Sequence, residues 1–311
     1  MSLKSLALST AIALAGPAAT LTLATGPALA QDDTLSVETA TGTAEVPRAP
    51  QTTAVYDMAA LDTLDALGVE GLTSTDKTYF DGLADYQGDI GTLFEPDFEA
   101  LNALQPDLIV VGGRSAPQAE AVADFAPTID MTIEGTDLLN GLRARIEAYG
   151  RIWGKEDAAA DLTADLDTAL DDARAAGREA GDALIVLTNG AKMSAYGAGS
   201  RFGWLHEATG MPEAVEGLSA AQHGEPVSSE FIRDADPDWL FVIDRGAAIG
   251  ADSQGAEATL DNPLVRETKA WQSDQVVYLG AADVYIASGG VQATRRTLKT
   301  VTEALTAAAG S

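Results

Sequence analysis

The chain has 311 residues, with 47 Asp and Glu against 19 Lys and Arg, a formal net charge of −28 and no cysteine. That balance argues against nucleic acid as a partner, because no basic patch forms against such a field. The missing thiols exclude disulfides, Cys-based zinc sites, thiol catalysis and iron–sulfur clusters. Hydrophobic residues make up 46% and charged residues 21%, a globular balance in a chain long enough for two domains of ordinary size.

The N-terminus reads as a targeting segment. Lys4 supplies a positive start, Leu6 to Leu23 an apolar stretch broken by Pro17, and Ala28-Leu29-Ala30 a small-residue cleavage site before Gln31. Residues 1–30 are therefore predicted to be a cleaved signal peptide rather than a membrane anchor, since Pro17 and Gly26-Pro27 interrupt the run. Removing Lys4 with the signal takes the net charge to −29. With no lipobox cysteine at the cleavage site, the mature protein is expected to be free in the periplasm of a two-membrane bacterium.

From residue 34 the segments LSVET, TAEVP and TTAVYD alternate like short strands opening a first lobe. AALDTLDALGV carries apolar residues at helical spacing and stops at Gly68. Residues 72–93 are polar and glycine-rich and are predicted as a loop. A pattern that occurs twice comes next. Glu99, six residues, Pro106-Asp107, six residues and Arg114 are matched in register by Glu230, Pro237-Asp238 and Arg245. Each copy starts as a short helix (FEALNALQ, EFIRDA), is stopped by a proline and runs into an apolar strand, LIVVGG or WLFVID. Each sets an arginine just past the strand's C-terminal end, the edge where open α/β sheets bind ligands. The repeat predicts two similar lobes, each presenting one arginine to a common cleft.

After Arg114 the chain reads as helix (PQAEAVADFAP), strand (PTIDMTI) and a longer helix (LLNGLRARIEAYGRIWG). Residues 155–180 form the clearest helix, with Leu162, Leu166 and Leu170 four apart among alanines and aspartates. A rigid helix there, in place of a Gly/Ser linker, would hold two lobes at a nearly fixed separation and limit closure. The second lobe opens with strands DALIVLTNG and SAYG, the turn GAGSRFG and the helix WLHEATG. Beyond the second repeat copy lie a polar loop from Gly246 to Asp261, the helix NPLVRET, the strand QVVYLG and a final helix from Val291 to Ala308. The expected boundaries are 31–154 for an N-terminal α/β lobe, 155–181 for an interlobe helix and 182–311 for a C-terminal α/β lobe.

Gly197 to Gly203 fails as a dinucleotide fingerprint, because its third glycine comes one residue late and no acidic ribose ligand follows at the expected distance. It reads as a strand-to-helix turn offering backbone N–H groups and Arg201 to an anion. Of the two histidines, His206 lacks the second histidine of a zincin and is predicted on a helix surface, while His223 falls in a loop, AAQHGEP. Tyr285, in ADVYIASGG, is placed in an exposed turn before the last helix. With no GxSxG elbow, Walker loop, CxxC or His-rich cluster, the sequence favours binding over catalysis.

Six stretches carry a resemblance over the whole mature chain: VPRAPQTTAVYDMAALDTLDALGV, LFEPDFEALNALQPDLIVVGGRS, GAGSRFGWLHEATG, HGEPVSSEF, DPDWLFVIDRG and ADVYIASGG. Together they resemble the periplasmic ferric-siderophore binding proteins of ABC importers, in the enterochelin-type (enterobactin) catecholate branch. The resemblance implies a class III periplasmic binding protein of helical-backbone type, with two Rossmann-like α/β lobes joined by a single long helix and the ligand between them. It implies a monomeric carrier with no enzymatic activity and no intrinsic cofactor, Fe(III) being bound as a siderophore complex. Arg114, Arg201 and Arg245 match arginines that meet the charged catecholate, for which guanidinium forks are suited. His223 and Tyr285 match residues that ligate iron. Two catechols supply four oxygens, leaving two positions of an octahedral ferric ion for imidazole and a hard phenolate oxygen. Glu99 and Glu230 match the acidic residues that dock such carriers, one per lobe, onto arginines of an inner-membrane permease dimer. Haem, a corrinoid, or a hydroxamate or citrate complex stand as alternative cargoes for the same type of carrier.

Overall fold

The computed structural model describes residues 34–221 and 223–310, so the expected signal peptide lies outside the described residues. The chain opens with β1 (Thr34–Thr39) and β2 (Gly42–Pro47), an antiparallel hairpin turned at Gly42, whose φ of 111° suits glycine. This hairpin forms a sheet of its own, so the alternation in LSVET and TAEVP marks strands that stay outside the lobe's main sheet. Then come β3 (Thr53–Val55), α1 (Met58–Ala66), β4 (Leu72–Ser74), α2 (Phe98–Leu104), β5 (Leu108–Val111), α3 (Ala119–Val122), β6 (Thr128–Asp130) and α4 (Leu138–Trp153). Their strands make a parallel sheet in the order β4-β3-β5-β6.

The 22-residue α5 (Glu156–Gly177) leads to the second sheet. There the elements are β7 (Ala183–Asn189), β8 (Lys192–Tyr196), α6 (Trp204–Thr209), β9 (Glu225–Val227), α7 (Ser229–Ala235) and β10 (Trp239–Asp244). They continue as α8 (Arg245–Ile249), α9 (Ala256–Leu260), α10 (Lys269–Gln272), β11 (Val276–Tyr278), α11 (Ala281–Tyr285) and α12 (Val291–Ala309). The sheet order is β11-β10-β7-β8-β9, with β10 parallel to both neighbours and β8 antiparallel to both of its own.

The apolar runs of the repeat are strands buried on both faces, as parallel strands covered by helices must be. Alternate residues go to different cores. Leu108 and Val110 of β5, with Trp239, Phe241 and Ile243 of β10, enter one large cluster that continues through α1, α4, α5 and α12. Ile109 and Val111 face a cluster under α2 and α3, and Leu240 and Val242 one under α7 and α9.

The repeat also explains itself locally. Asp97 caps α2 by accepting N–H bonds from Glu99 and Ala100, and Ser228 caps α7 by accepting from Phe231. Each helix ends on a left-handed residue, Gln105 (φ 48°) or Asp236 (φ 42°), just before a proline that disfavours continuing the right-handed helix. The aspartate after each proline ties its strand to the neighbouring one. Asp107 Oδ2 accepts from the Gln51 and Thr52 N–H groups before β3, and Asp238 Oδ2 from the Asp182 N–H before β7.

Helix α5 packs closely on both sides. At Gly150 of α4 a Cβ would come within 2.6 Å of the Ala159 Cβ, and at Gly177 within 2.2 Å of the Thr209 carbonyl oxygen. Helix α12 returns to the first lobe. Its N-terminal N–H groups at Gln292 and Ala293 donate to Asp62 Oδ2 of α1 at 2.7 and 3.2 Å, and Val291 N–H to Thr63 Oγ1.

Two stretches expected to be loops contain elements. Residues 72–93 hold β4 and a 3-10 turn, Asp81–Tyr86, both too short for a periodic signal. The stretch from Gly246 to Asp261 holds most of α8 and all of α9, five residues each, held by one carboxylate: Asp244 accepts from Ala247 N–H through Oδ1 and from Ala256 N–H through Oδ2. NPLVRET contains only a 3-10 turn, Val265–Glu267.

Candidate functional site

A cavity of about 620 Å³ opens at the C-terminal ends of β3, β5 and β6. The first lobe contributes Asp57 after β3, Gly112 to Arg114 after β5 and Thr132 to Thr136 after β6, while the second contributes Arg201, His223 and Tyr285. Strand ends are where an open α/β sheet leaves backbone and side chains free of its own ladder.

The cationic residues converge on Tyr285. Arg114 reaches from the first lobe to donate through Nη2 to the Tyr285 carbonyl at 2.6 Å and through Nη1 to that of Ile286 at 3.3 Å. Arg245, the first residue of α8, donates from Nε to the Tyr285 hydroxyl at 2.9 Å and from Nη1 to Asn189 Oδ1. The guanidinium carbons of Arg114, Arg201 and Arg245 lie 5.0, 5.0 and 5.7 Å from the Tyr285 ring centroid. Arg245 is not among the cavity's lining residues and acts there through the Tyr285 hydroxyl.

Among the described residues none of these three arginines is paired with a carboxylate, although the chain is strongly acidic. The result is a concentrated positive field at a half-buried phenol. Burial pushes the Tyr285 phenol up, but the Arg245 hydrogen bond and the charges of Arg245, Arg114 and Arg201 together hold it below its ordinary value. Arg201 is itself lowered, first by burial and then by repulsion from Arg114. Such a cluster is preorganised for a multiply charged anion and for an ionised phenolate.

The seven residues singled out in the sequence fall into two groups. Arg114, Arg201, His223 and Tyr285 line one cavity, and Arg245 joins them through Tyr285. His223 is exposed in the turn before β9. Tyr285 is half-buried and ends α11, a five-residue helix, where an exposed turn was expected. Glu99 and Glu230 are exposed in the first turns of α2 and α7, where a negative charge suits the helix N-terminus. Hydrogen bonding from Ser228 lowers the Glu230 carboxyl below its usual range.

Two readings change. The glycine-rich turn keeps several N–H groups for itself: Ala198 donates to Glu213 Oε1, Ser200 to the Gly197 carbonyl and Gly203 to the Ser200 carbonyl. Its contribution to the cavity wall is Gly199 and Arg201. His206 is buried rather than on the helix surface, turned towards the segment that follows α6. Its Nδ1 lies 3.2 Å from the Met211 carbonyl, and burial lowers its pKa.

One pair escaped the sequence reading. Arg145 Nη1 donates to Asp57 Oδ2 at 3.0 Å, with Arg145 only 5% exposed, and both line the cavity. Gly112 leaves them room, since a Cβ there would fall 2.6 Å from Asp57 Oδ2. The available signal was the spacing of Arg145 with Leu138, Leu142 and Tyr149, which puts a charge on the buried face of α4. Among the described residues no group of three or more His, Asp or Glu could hold a metal ion.

Two open α/β lobes around an anion-seeking cavity define a two-lobed solute-binding protein. The chain belongs to the periplasmic binding protein family (Peripla_BP_2), whose model matches residues 54–282. Its fold is the class III periplasmic binding fold, and the family is one of binding proteins rather than enzymes. The chain is 31% identical to the petrobactin-binding protein YclQ of Bacillus subtilis over 268 residues, 84% of each chain. The YclQ crystal structure superposes with a TM-score of 0.83, covering 88% of this chain and 98% of that one. The ferric-anguibactin-binding protein FatB of Vibrio anguillarum is 31% identical over 78% of each chain. The periplasmic catecholate-siderophore binding protein VctP of Vibrio cholerae is 29% identical, with a TM-score of 0.81 over 87% of this chain and 98% of that structure. No helix among the described residues is long and apolar enough to cross a membrane.

Proposed function

We propose that this chain is the periplasmic solute-binding component of an ABC importer and carries a ferric catecholate siderophore in the interlobe cavity. The observation that carries the reading is Tyr285, ringed by three guanidinium groups that no carboxylate neutralises among the described residues. Arg114 and Arg201 bind the catecholate oxygens, Arg245, expected beside them, acts on the cargo through the Tyr285 hydroxyl, and the Tyr285 phenolate and His223 imidazole fill positions that a tetradentate bis-catecholate leaves open on Fe(III). Relatives named for petrobactin, anguibactin and catecholate siderophores support this cargo class. The carrier works as a monomer of two lobes, 31–154 and 182–311, joined through 155–181. Residues 1–30 direct export, and Glu99 and Glu230 dock one on each half of a permease dimer.

The test is a titration with Fe(III) bis-catecholate, following quenching of the four tryptophans and the visible ligand-to-metal band. Tight binding with a shift of that band that Tyr285→Phe removes is expected. Tight binding without that dependence leaves the iron coordinated by the siderophore alone. Tight haem binding with no catecholate binding overturns the cargo.

A further inference from the structure

Helix α11 carries Tyr285 yet has only five residues, held by N–H bonds from Val284 to the Gly280 carbonyl and from Ile286 to that of Ala282. A helix so short does not hold its own position, so the placement of Tyr285 comes from tertiary ties. Arg245 holds its hydroxyl and Arg114 its carbonyl. A third tie grips the helix outside the cavity. Arg296, on α12, donates from Nε and Nη2 to Asp283 Oδ1 at 2.9 and 2.7 Å, and from Nη2 to Asp62 Oδ1 at 3.1 Å.

Asp62 is a firm anchor. Its side chain is 1% exposed, and its other oxygen accepts the Gln292 and Ala293 N–H groups in the first turn of α12. Gln292 extends the seam, donating from Nε2 to the Asp62 carbonyl at 2.9 Å and to Asp65 Oδ2 at 2.8 Å. The Phe80 ring lies 5.4 Å from the Arg296 guanidinium. Gly280 and Gly290 leave space for the two carboxylates: a Cβ would fall 2.5 Å from Asp283 Oδ2 or 2.6 Å from Asp62 Oδ2.

We propose that Arg296 is a positioning residue for the iron site, clamping Asp283 of α11 to buried Asp62 of the first lobe so that the Tyr285 oxygen is held at the cavity. The inference rests on the proposed role of Tyr285 as an iron ligand. The clamp spans α1, α11 and α12, so it fixes the tyrosine relative to both lobes. Two guanidinium nitrogens meet Asp283 while one of them also reaches Asp62, a two-nitrogen contact that the single ammonium nitrogen of lysine does not reproduce.

The test compares wild type with Asp283→Ala, which removes one arm and leaves the buried Asp62–Arg296 pair, and with Arg296→Ala and Arg296→Lys. Amide exchange over residues 281–287 is read without cargo. Affinity and the Tyr285-dependent band shift are read with Fe(III) bis-catecholate, and affinity alone with Fe(III) tris-catecholate, whose iron needs no protein ligand. Asp283→Ala is expected to speed exchange, weaken the Tyr285-dependent band shift and lower bis-catecholate affinity by roughly tenfold, as loss of outer-shell support for a metal ligand does, while tris-catecholate binding is unchanged. Arg296→Lys should recover little. Unchanged exchange overturns the clamp whatever the cargo is, and faster exchange with an intact band shift overturns its role at the iron. A wild type that binds neither complex sinks the siderophore reading instead, and exchange then decides the clamp by itself.

Discussion

Replacing Asp62 by Asn removes a buried ionisable group from the seam between α1 and α12 while keeping an oxygen for the α12 N–H groups. Burial raises the Asp62 carboxyl from 3.8 to about 6, against the lowering influence of the Ala293 and Gln292 N–H groups and of Arg296. Between those values the folded protein holds a proton that the unfolded chain has released. This group's contribution to stability is therefore full below pH 3.8 and is lost as pH rises through about 6. A rise of roughly two units corresponds to about 3 kcal/mol. Other carboxylates titrate over part of the same range, so the useful quantity is the difference between wild type and Asp62→Asn. Urea unfolding of both proteins across that window should show wild type losing about 3 kcal/mol relative to the variant as pH rises. Parallel curves, or a difference of opposite sign, would refute the reasoning and show that Arg296 and the helix N-terminus outweigh burial.

Arg114→Ala, Arg201→Ala and Arg245→Ala should each weaken Fe(III) bis-catecholate binding about ten- to a hundredfold, the equivalent of a hydrogen bond to a charged group. Calorimetric titration measures this, and an unchanged affinity removes that arginine from the site. Arg145→Met strands the buried Asp57 carboxylate and should lower unfolding stability by about 3–5 kcal/mol, with most of the loss recovered in Asp57→Asn/Arg145→Met. If the double variant is no better in denaturant melts, the pair is not acting as a charge pair. Glu99→Arg combined with Glu230→Arg should leave cargo affinity intact and abolish stimulation of the permease ATPase in reconstituted vesicles. Full stimulation would rule out these two glutamates as docking contacts.

The repeat was legible because each of its parts is local. A short helical pattern, a proline that ends the helix and a fully apolar strand need no distant partner to be recognised. The same locality brought Arg114 and Arg245 to strand ends from spacing alone. His206 was misplaced because a lone residue in a six-residue helix carries no periodic signal of which face is covered. The helices α8 and α9 were missed for a related reason. Asp244 caps both, but 12 residues separate it from Ala256, well outside any turn motif.

The sequence by itself determined the alternation of strand and helix, the long α5 and the apolar runs that become central strands. Local conformational preference and burial are enough to specify all of these. Only the tertiary structure decided that three arginines from separate segments meet on one tyrosine, that Arg145 pairs with Asp57 across 88 residues and that α12 returns to α1. Those contacts depend on how the sheets and helices stack, and a hydrogen bond or charge pair between residues so far apart leaves no periodicity in the chain.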